Sequence, residues 1–338
     1  MRHKNTVFDQ IRRWRSQATP VVLAIVRDTV GSTYSKVGDF IALTASGAYQ
    51  GLVSGGCVEG DLAERARRVV ETGIAEDVHY DLGGEHDAIW GMGAGCDGEL
   101  RIRLVPVGGS FERTLETAMV AYDHGRSGLL LIGLSDDAHF FLEDSAGGRH
   151  AGVDMAREVH ALLEQRRSAV IAGGDSLAVY LRASPSILIC GAAPDAEPLI
   201  EVLLLMGWQV TVVDHRPAYV ADLADSDART EVVDAAVLSE QLALQAFDAA
   251  MIMSHHLETD TRYLECIAST HHWTYIGLLG PGHRRQKLLA TLSGDQRHYL
   301  DDRINGPAGI DIGAREPAGI ALSIAAEMHT AFAAAGRV

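Results

Sequence analysis

Two short runs crowd glycine around a cysteine. In GLVSGGCVEGDL, residues 51–62, Cys57 follows Gly55 and Gly56; in WGMGAGCDGEL, residues 90–100, Cys96 follows Gly93 and Gly95. Glycine at this density is costly to order, so it points either to backbone at positive φ or to close approach of the main chain to something bound. Just after Cys57 the pattern predicts a helix from about Val58 to Glu71, with Leu62, Ala66, Val69 and Val70 on one face and Gly73 as its stop. Unsatisfied amides and the helix dipole at such a start favour a thiolate. That thiolate could hold a soft metal, carry sulfur as a persulfide or attack an electrophile, and the same amides suit a phosphate or another oxyanion. Cys96 has no helix after it and reads either as a ligand or as a small packed residue. Cys57 and Cys96 are the candidate metal ligands.

A third loop, DTVGSTYSKVGD at 28–39, brings hydroxyls, Ser32 and Thr33 among them, and the ammonium of Lys36 between two strands. It suits an anionic group at a sheet end or, equally, plain solvated loop. The elements around these loops alternate between helical and strand-like. PVVLAIVRD reads as a buried strand, FIALTASGAYQGLV as two strands about Ala45 to Gly47, and ELRIRLVPV, LLLIGL and HFFLED as further strands. Their order in a sheet does not follow from the sequence, and residues 108–183 are the least informative. The expected organisation is a mixed α+β domain over 1–183, a break near ASPS at 183–186, and a second domain over 184–338.

The second half is plainer. SILICGAAPDAEPLIEVLLLMGWQVTVVD has the strand, turn, helix, strand order of a dinucleotide-binding unit, with FDAAMIMSHH and WTYIGLLG as further strands of a doubly wound parallel sheet. Gly191 ends the first strand, and Asp214 ends the second, where an acidic residue would meet a ribose hydroxyl. The turn itself is poor for NAD(P): Ala193 stands where a glycine would let pyrophosphate approach, Pro194 lacks an N–H, and Asp195 places negative charge where phosphate would sit. His255 and His256 close a strand at the usual ligand edge, as cofactor contacts or as satisfied loop residues. The basic helix start GPGHRRQK, 280–287, could grip an anion or simply face water.

Composition removes whole classes of function. The chain has 338 residues and a formal net charge of −16, which argues against general nucleic-acid binding. Its basic start is explained by a short helix with Arg12, Arg13 and Arg15 outward and Ile11 and Trp14 inward. With 47% hydrophobic residues, a mean hydropathy of +0.05 and no apolar run near the roughly 18 residues of a membrane span, a globular protein is expected. The start also lacks the apolar core of a signal peptide, so a cytoplasmic location is expected. Four cysteines without paired CxxC spacing read as thiols in a reducing compartment. A zinc or iron site combining Cys57 and Cys96 with His79 or His86 matches no established spacing.

Taken together, GSTYSKVGDFIAL, GLVSGGCVEGDL and WGMGAGCDGELRIRLVP resemble the XdhC/CoxI family of molybdoenzyme accessory factors. SILICGAA, VTVVDHRPAY, YIGLLGPGHRRQKLL and INGPAGIDIGAREPAGIALSIAAEM resemble that family's Rossmann-type domain and closing segments. The resemblance implies an XdhC/CoxI-type α+β domain followed by a Rossmann-like doubly wound domain. It also implies a maturation factor more than a stand-alone catalyst. Such a factor binds the molybdenum cofactor in its molybdopterin form, guards it while an oxo ligand is exchanged for sulfide, and delivers it to the apoprotein of a xanthine dehydrogenase-type molybdenum hydroxylase. A cysteine desulfurase is the implied sulfur donor. Carried onto this chain, the cofactor contacts are Gly55, Gly56 and Cys57, with Gly93, Gly95 and Cys96. Ser32, Thr33, Gly191, Asp214 and His255 are further candidates from the residues themselves. The turn at Gly191 departs from the family's usual GxGxxx loop. An NAD(P)-dependent oxidoreductase using the second half is the competing expectation. A homodimer through the terminal helix IALSIAAEMHTAFAAA is considered beside packing of that helix on its own domain.

Overall fold

A computed structural model describes residues 4–82, 98–133, 138–142, 157–171, 174 and 176–338. The chain divides into two compact units, Met1–Ala183 and Ser184–Val338.

In the first unit, helix α1 (Lys4–Ser16) leads into the long strand β1 (Val21–Gly31), followed by β2 (Phe40–Thr44), β3 (Tyr49–Gln50), helix α2 (Glu59–Thr72), β4 (Glu76–Asp81) and β5 (Gly98–Pro106). These strands form an antiparallel sheet in the order β3-β2-β1-β5-β4. The alternation of β1 explains its continuous apolar run. Val22, Ala24 and Val26 pack with Leu62, Ala66 and Val69 of α2 on one face, whereas Val21, Leu23 and Ile25 pack on the other face with Phe8 and Ile11 of α1. That second face is completed by α3 (Gly109–Asp123) and by a second antiparallel sheet. Its strands β6 (Gly128–Gly133), β7 (Ala138–Leu142), β8 (Ala169–Val170) and β9 (Ser176–Leu181) run in the order β7-β6-β9-β8, backed by α4 (Arg157–Glu164). The basic start is a clamp: Ile11 is fully buried and Arg13 exposed, while Arg12 pairs with Asp123 and Arg15 with Glu112, both on α3.

The second unit is a parallel, Rossmann-like sheet: β10 (Ser186–Cys190), α5 (Glu197–Leu205), β11 (Gln209–Asp214), α6 (Pro217–Asp222), β12 (Arg229–Val232), α7 (Leu238–Gln241), β13 (Ala249–Ile252), α8 (Leu257–Ala268), β14 (Tyr275–Leu278), α9 (Gly282–Thr291), α10 (Gly294–Asp301), β15 (Ile304–Asn305) and α11 (Pro317–Ala334). The strand order β12-β11-β10-β13-β14-β15 reverses between β10 and β13, which puts the switch point of the doubly wound fold at the loops after those two strands. Continuous burial of β10 and β13 fits strands covered on both faces, by α5 and α11 on one and by α8 to α10 on the other. The apolar side of the terminal helix, with Ile324, Met328 and Phe332, packs into its own unit. Among the described residues no helix is long and apolar enough to cross a membrane.

Candidate functional site

Helix α2 begins at Glu59, two residues beyond Cys57, and its N-cap residue Val58 supplies no side-chain cap. Glu59, only 1% exposed, instead ties down the turn that leads into the helix. One of its carboxylate oxygens accepts the amides of Val53 and Ser54, each at 2.9 Å, and the other accepts the Ser54 hydroxyl. The Ser54 oxygen in turn accepts the Val58 amide at 2.8 Å. Burial alone would push this carboxyl up, but the Ser54 hydroxyl and the amides of Val53, Ser54 and Glu59 together hold it below its ordinary value. The loop from 53 to 58 is therefore wound around a buried negative charge.

The glycines in it serve two different needs. Gly51, at φ 108°, carries no Cβ because one would lie 2.8 Å from Ile41 Cγ2 and 3.1 Å from its Cα. Gly55 and Gly56 sit at φ 74° and 111°, yet a Cβ on Gly56 would meet no atom of the described residues within 4 Å. Among the described residues, then, nothing covers the main chain immediately before Cys57 on that side. Cys57 is half-buried at the edge of the core under α2. In the turn before the helix, the amides of Val53, Ser54 and Val58 are taken by Glu59 and Ser54, and the buried carboxylate stands at the positive end of the dipole.

The loop at 31–39 flanks it. The ring of Tyr34 lies 3.9 Å from where a Cβ on Gly55 would be, and β1 pairs with β5 out to Gly31 and Gly98. Ser32 is exposed, and its carbonyl oxygen comes so near Gly98 that a Cβ there would be 2.5 Å away. Thr33 turns its hydroxyl inward, donating to the Ser35 carbonyl at 2.9 Å. The fold thus brings Ser32 and Thr33 beside the strand that follows the second cysteine run. Gly93, Gly95 and Cys96, and His86 with them, lie outside the described residues. His79 pairs with Glu99 at 2.9 Å. Among the described residues no group of three or more His, Cys, Asp or Glu is placed to hold a metal ion.

At the switch point of the second unit the expected cofactor residues are occupied by the fold. Gly191, at φ 125°, is forced by packing, since a Cβ would lie 2.6 Å from the carbonyl of Met253 and the amide of Ser254. Asp214 is fully buried, and its carboxylate is closed by the Ala192 amide at 2.9 Å and by Arg216, through its amide, Nε and a terminal nitrogen at 2.9, 2.9 and 2.7 Å. Burial pushes this carboxyl up, but those Arg216 and Ala192 hydrogen bonds outweigh it and hold it low. A ribose contact would have to break this set, so Asp214 acts here as an internal tie. Asp195 carries its charge into a 2.8 Å pair with His255 Nε2.

His255 stands at φ 63°, a region a histidine enters only at a cost. Its turn is fixed from behind: Ser254 donates through both amide and hydroxyl to buried Asp260, which also accepts from Arg284 at 2.6 Å. His256 caps α8, accepting the Thr259 amide. Arg285 reaches Asp301, so both arginines of the basic helix start hold structure. Glu59, Ser54, Arg216 and Asp260 were not singled out by sequence reasoning. The signal available was an acidic residue in the first turn of a helix following a small polar residue, a variation on capping patterns.

Known proteins bear on both units. Residues 14–81 match the model of the XdhC and CoxI family, and residues 187–328 match that of the XdhC Rossmann domain. The chain is 29% identical over 339 aligned residues, 96% of each chain, to a protein of Bacillus subtilis (strain 168) named as a probable xanthine dehydrogenase subunit. It is also similar to a crystal structure described as a xanthine dehydrogenase from Bacillus halodurans, with 27% identity, a TM-score of 0.77, and 97% of this chain and 96% of that one covered.

Proposed function

From the premise that the chain belongs to the XdhC and CoxI family, we propose that it is an accessory factor of a xanthine dehydrogenase-type molybdenum hydroxylase. Working in the cytoplasm, it binds the molybdenum cofactor in its molybdopterin form and assists sulfuration and insertion. The observation that carries this reading is the Cys57 loop, a thiol next to main chain at Gly56 that no described residue covers, in a loop wound on the buried Glu59 carboxylate. When bound, the cofactor supplies the molybdenum centre whose oxo ligand is exchanged for sulfide. The chain's own contributions are positional. Glu59 and Ser54 fix the path of the main chain, Gly55 and Gly56 carry no side chain there, and Cys57 is the thiol that would meet the cofactor. Two partners follow from the role, the hydroxylase apoprotein and a cysteine desulfurase as sulfur donor.

The test is to produce the hydroxylase with and without this protein and to count molybdenum and cyanide-labile sulfur in the product. The proposal expects both to fall in its absence while the polypeptide is made normally, and equal contents would contradict it. A dinucleotide-dependent oxidoreductase is the lesser reading, because Asp214 is spent on Arg216 and Pro194 lacks a donor at the turn.

A further inference from the structure

Among the described residues two rings of Phe, Tyr or Trp are exposed, Tyr34 at 46% and Tyr49 at 45%. Tyr49 lies on the short edge strand β3, opposite Leu43. Tyr34 lies on the loop at 31–39, outside the packed clusters of the first unit, and its ring comes 3.9 Å from where a Cβ on Gly55 would be. An aromatic ring left half uncovered forgoes much of the stabilisation that its burial would bring. This one does so against the residue two positions before Cys57.

The main chain that carries the ring is fixed on both sides. The Thr33 hydroxyl donates to the Ser35 carbonyl at 2.9 Å, and Ser35 is fully buried. The Lys36 amide donates to Asp39 Oδ2 at 2.9 Å. The Gly38 amide donates to the Val26 carbonyl, and the Val26 amide to the Asp39 carbonyl, each at 2.8 Å. On the strand side, a Cβ on Gly98 would meet the Ser32 carbonyl oxygen at 2.5 Å and Thr33 Cγ2 at 2.7 Å, so the loop sits tight on β5. Gly55, at φ 74°, sets bare main chain against the ring from the cysteine loop. A tyrosine held on such a backbone has only two side-chain torsions to give up when a flat partner lies on it.

Resting on the cofactor reading of the Cys57 loop, we infer that Tyr34 is the residue by which that loop selects the pterin. Its ring stacks on the pterin plane while Cys57 meets the molybdenum, so the paired loops take molybdenum carried on a pterin in preference to bare molybdate. Stacking of a base-like heterocycle on an aromatic side chain is worth about tenfold in affinity. A tetrahedral oxyanion has no face to stack. Tyr34 touches none of the reacting atoms in this assignment; it sets specificity.

Anaerobic equilibrium dialysis of the full chain tests this with molybdopterin-form cofactor, metal-free molybdopterin and molybdate as probes. Tyr34→Leu should weaken both pterin probes about tenfold and leave molybdate unchanged. Tyr34→Phe, which keeps the ring, should hold both pterin probes within about twofold of the native chain. Tyr49→Leu, at the other exposed ring, should alter none of the three. Substitutions at exposed positions of this kind leave the fold intact, which an unchanged denaturant midpoint checks. In a Cys57→Ala background metal-free molybdopterin should still lose about tenfold on Tyr34→Leu. A native chain that binds neither pterin probe overturns the cofactor reading and this inference with it. Native binding matched by Tyr34→Leu, equal losses in Tyr34→Leu and Tyr34→Phe, or an equal loss in Tyr49→Leu overturns this inference alone.

Discussion

The two units each place glycine at positive φ in a turn leading to a helix, with a buried carboxylate beside it, yet the two glycines meet opposite surroundings. Gly191 is pressed against the main chain of Met253 and Ser254, whereas Gly56 faces no described residue within 4 Å. The carboxylates differ in the same sense. Asp214 is tied across the sheet edge to Arg216, and Glu59 shapes the loop that leads to a thiol. A glycine-rich turn at a strand end is therefore not by itself evidence of a ligand. What separates a packing glycine from a binding one is what a Cβ would strike.

Four measurements sharpen or break this comparison. Gly191→Ala adds a clash with backbone to an unfavourable φ, and should cost about 3 kcal/mol or more in denaturant unfolding of the full chain. A loss under about 1 kcal/mol would show that the turn at 191 is as open as that at 56. Glu59→Gln keeps an oxygen for the amides of Val53 and Ser54 but leaves the Ser54 hydroxyl without an acceptor, and should cost about 2 kcal/mol. Faster amide exchange confined to residues 53–58 would locate the damage.

The same variant carries a pH signature. Folding lowers the Glu59 and Asp214 carboxyl pKa values, so their stabilisation is complete above the unfolded value near 4 and is lost as pH falls through the folded one. Glu59→Gln should flatten the acid limb of the stability profile and leave the share due to Asp214. An unchanged limb would mean that Glu59 is not the charge being titrated. Gly56→Ala meets only the strain of its φ, and should cost about 1 kcal/mol in the same titration. A loss matching that of Gly191→Ala would erase the contrast between the turns.

Much of this architecture was legible beforehand, because it rests on periodicity. The apolar face of α2 and its stop at Gly73, in the left-handed region at φ 67° with its amide on Val69, follow from local sequence. So do the buried strands of the parallel sheet. The strand order of the first unit was not legible, since it depends on pairing β1 with β5 across the whole stretch from Gly31 to Gly98, and nothing local encodes such a register. The site was legible only in its cysteine and glycines. That Glu59 would take the amides of Val53 and Ser54, or that Arg216 would close on Asp214 two positions away, depends on where side chains point once the turns are built. The Asp195–His255 pair joins residues sixty positions apart and leaves no mark in either segment.

The proposed role of Cys57 as a sulfur contact for a thiophilic guest is decided by loading the purified protein with molybdopterin-form cofactor under anaerobic conditions and counting molybdenum retained after gel filtration, for the native chain and for Cys57→Ala. This substitution should cost less than about 1 kcal/mol in stability, so a folded variant is available for comparison. Retention by the native chain and its loss in the variant are expected; equal retention by both, or none by either, would refute the role.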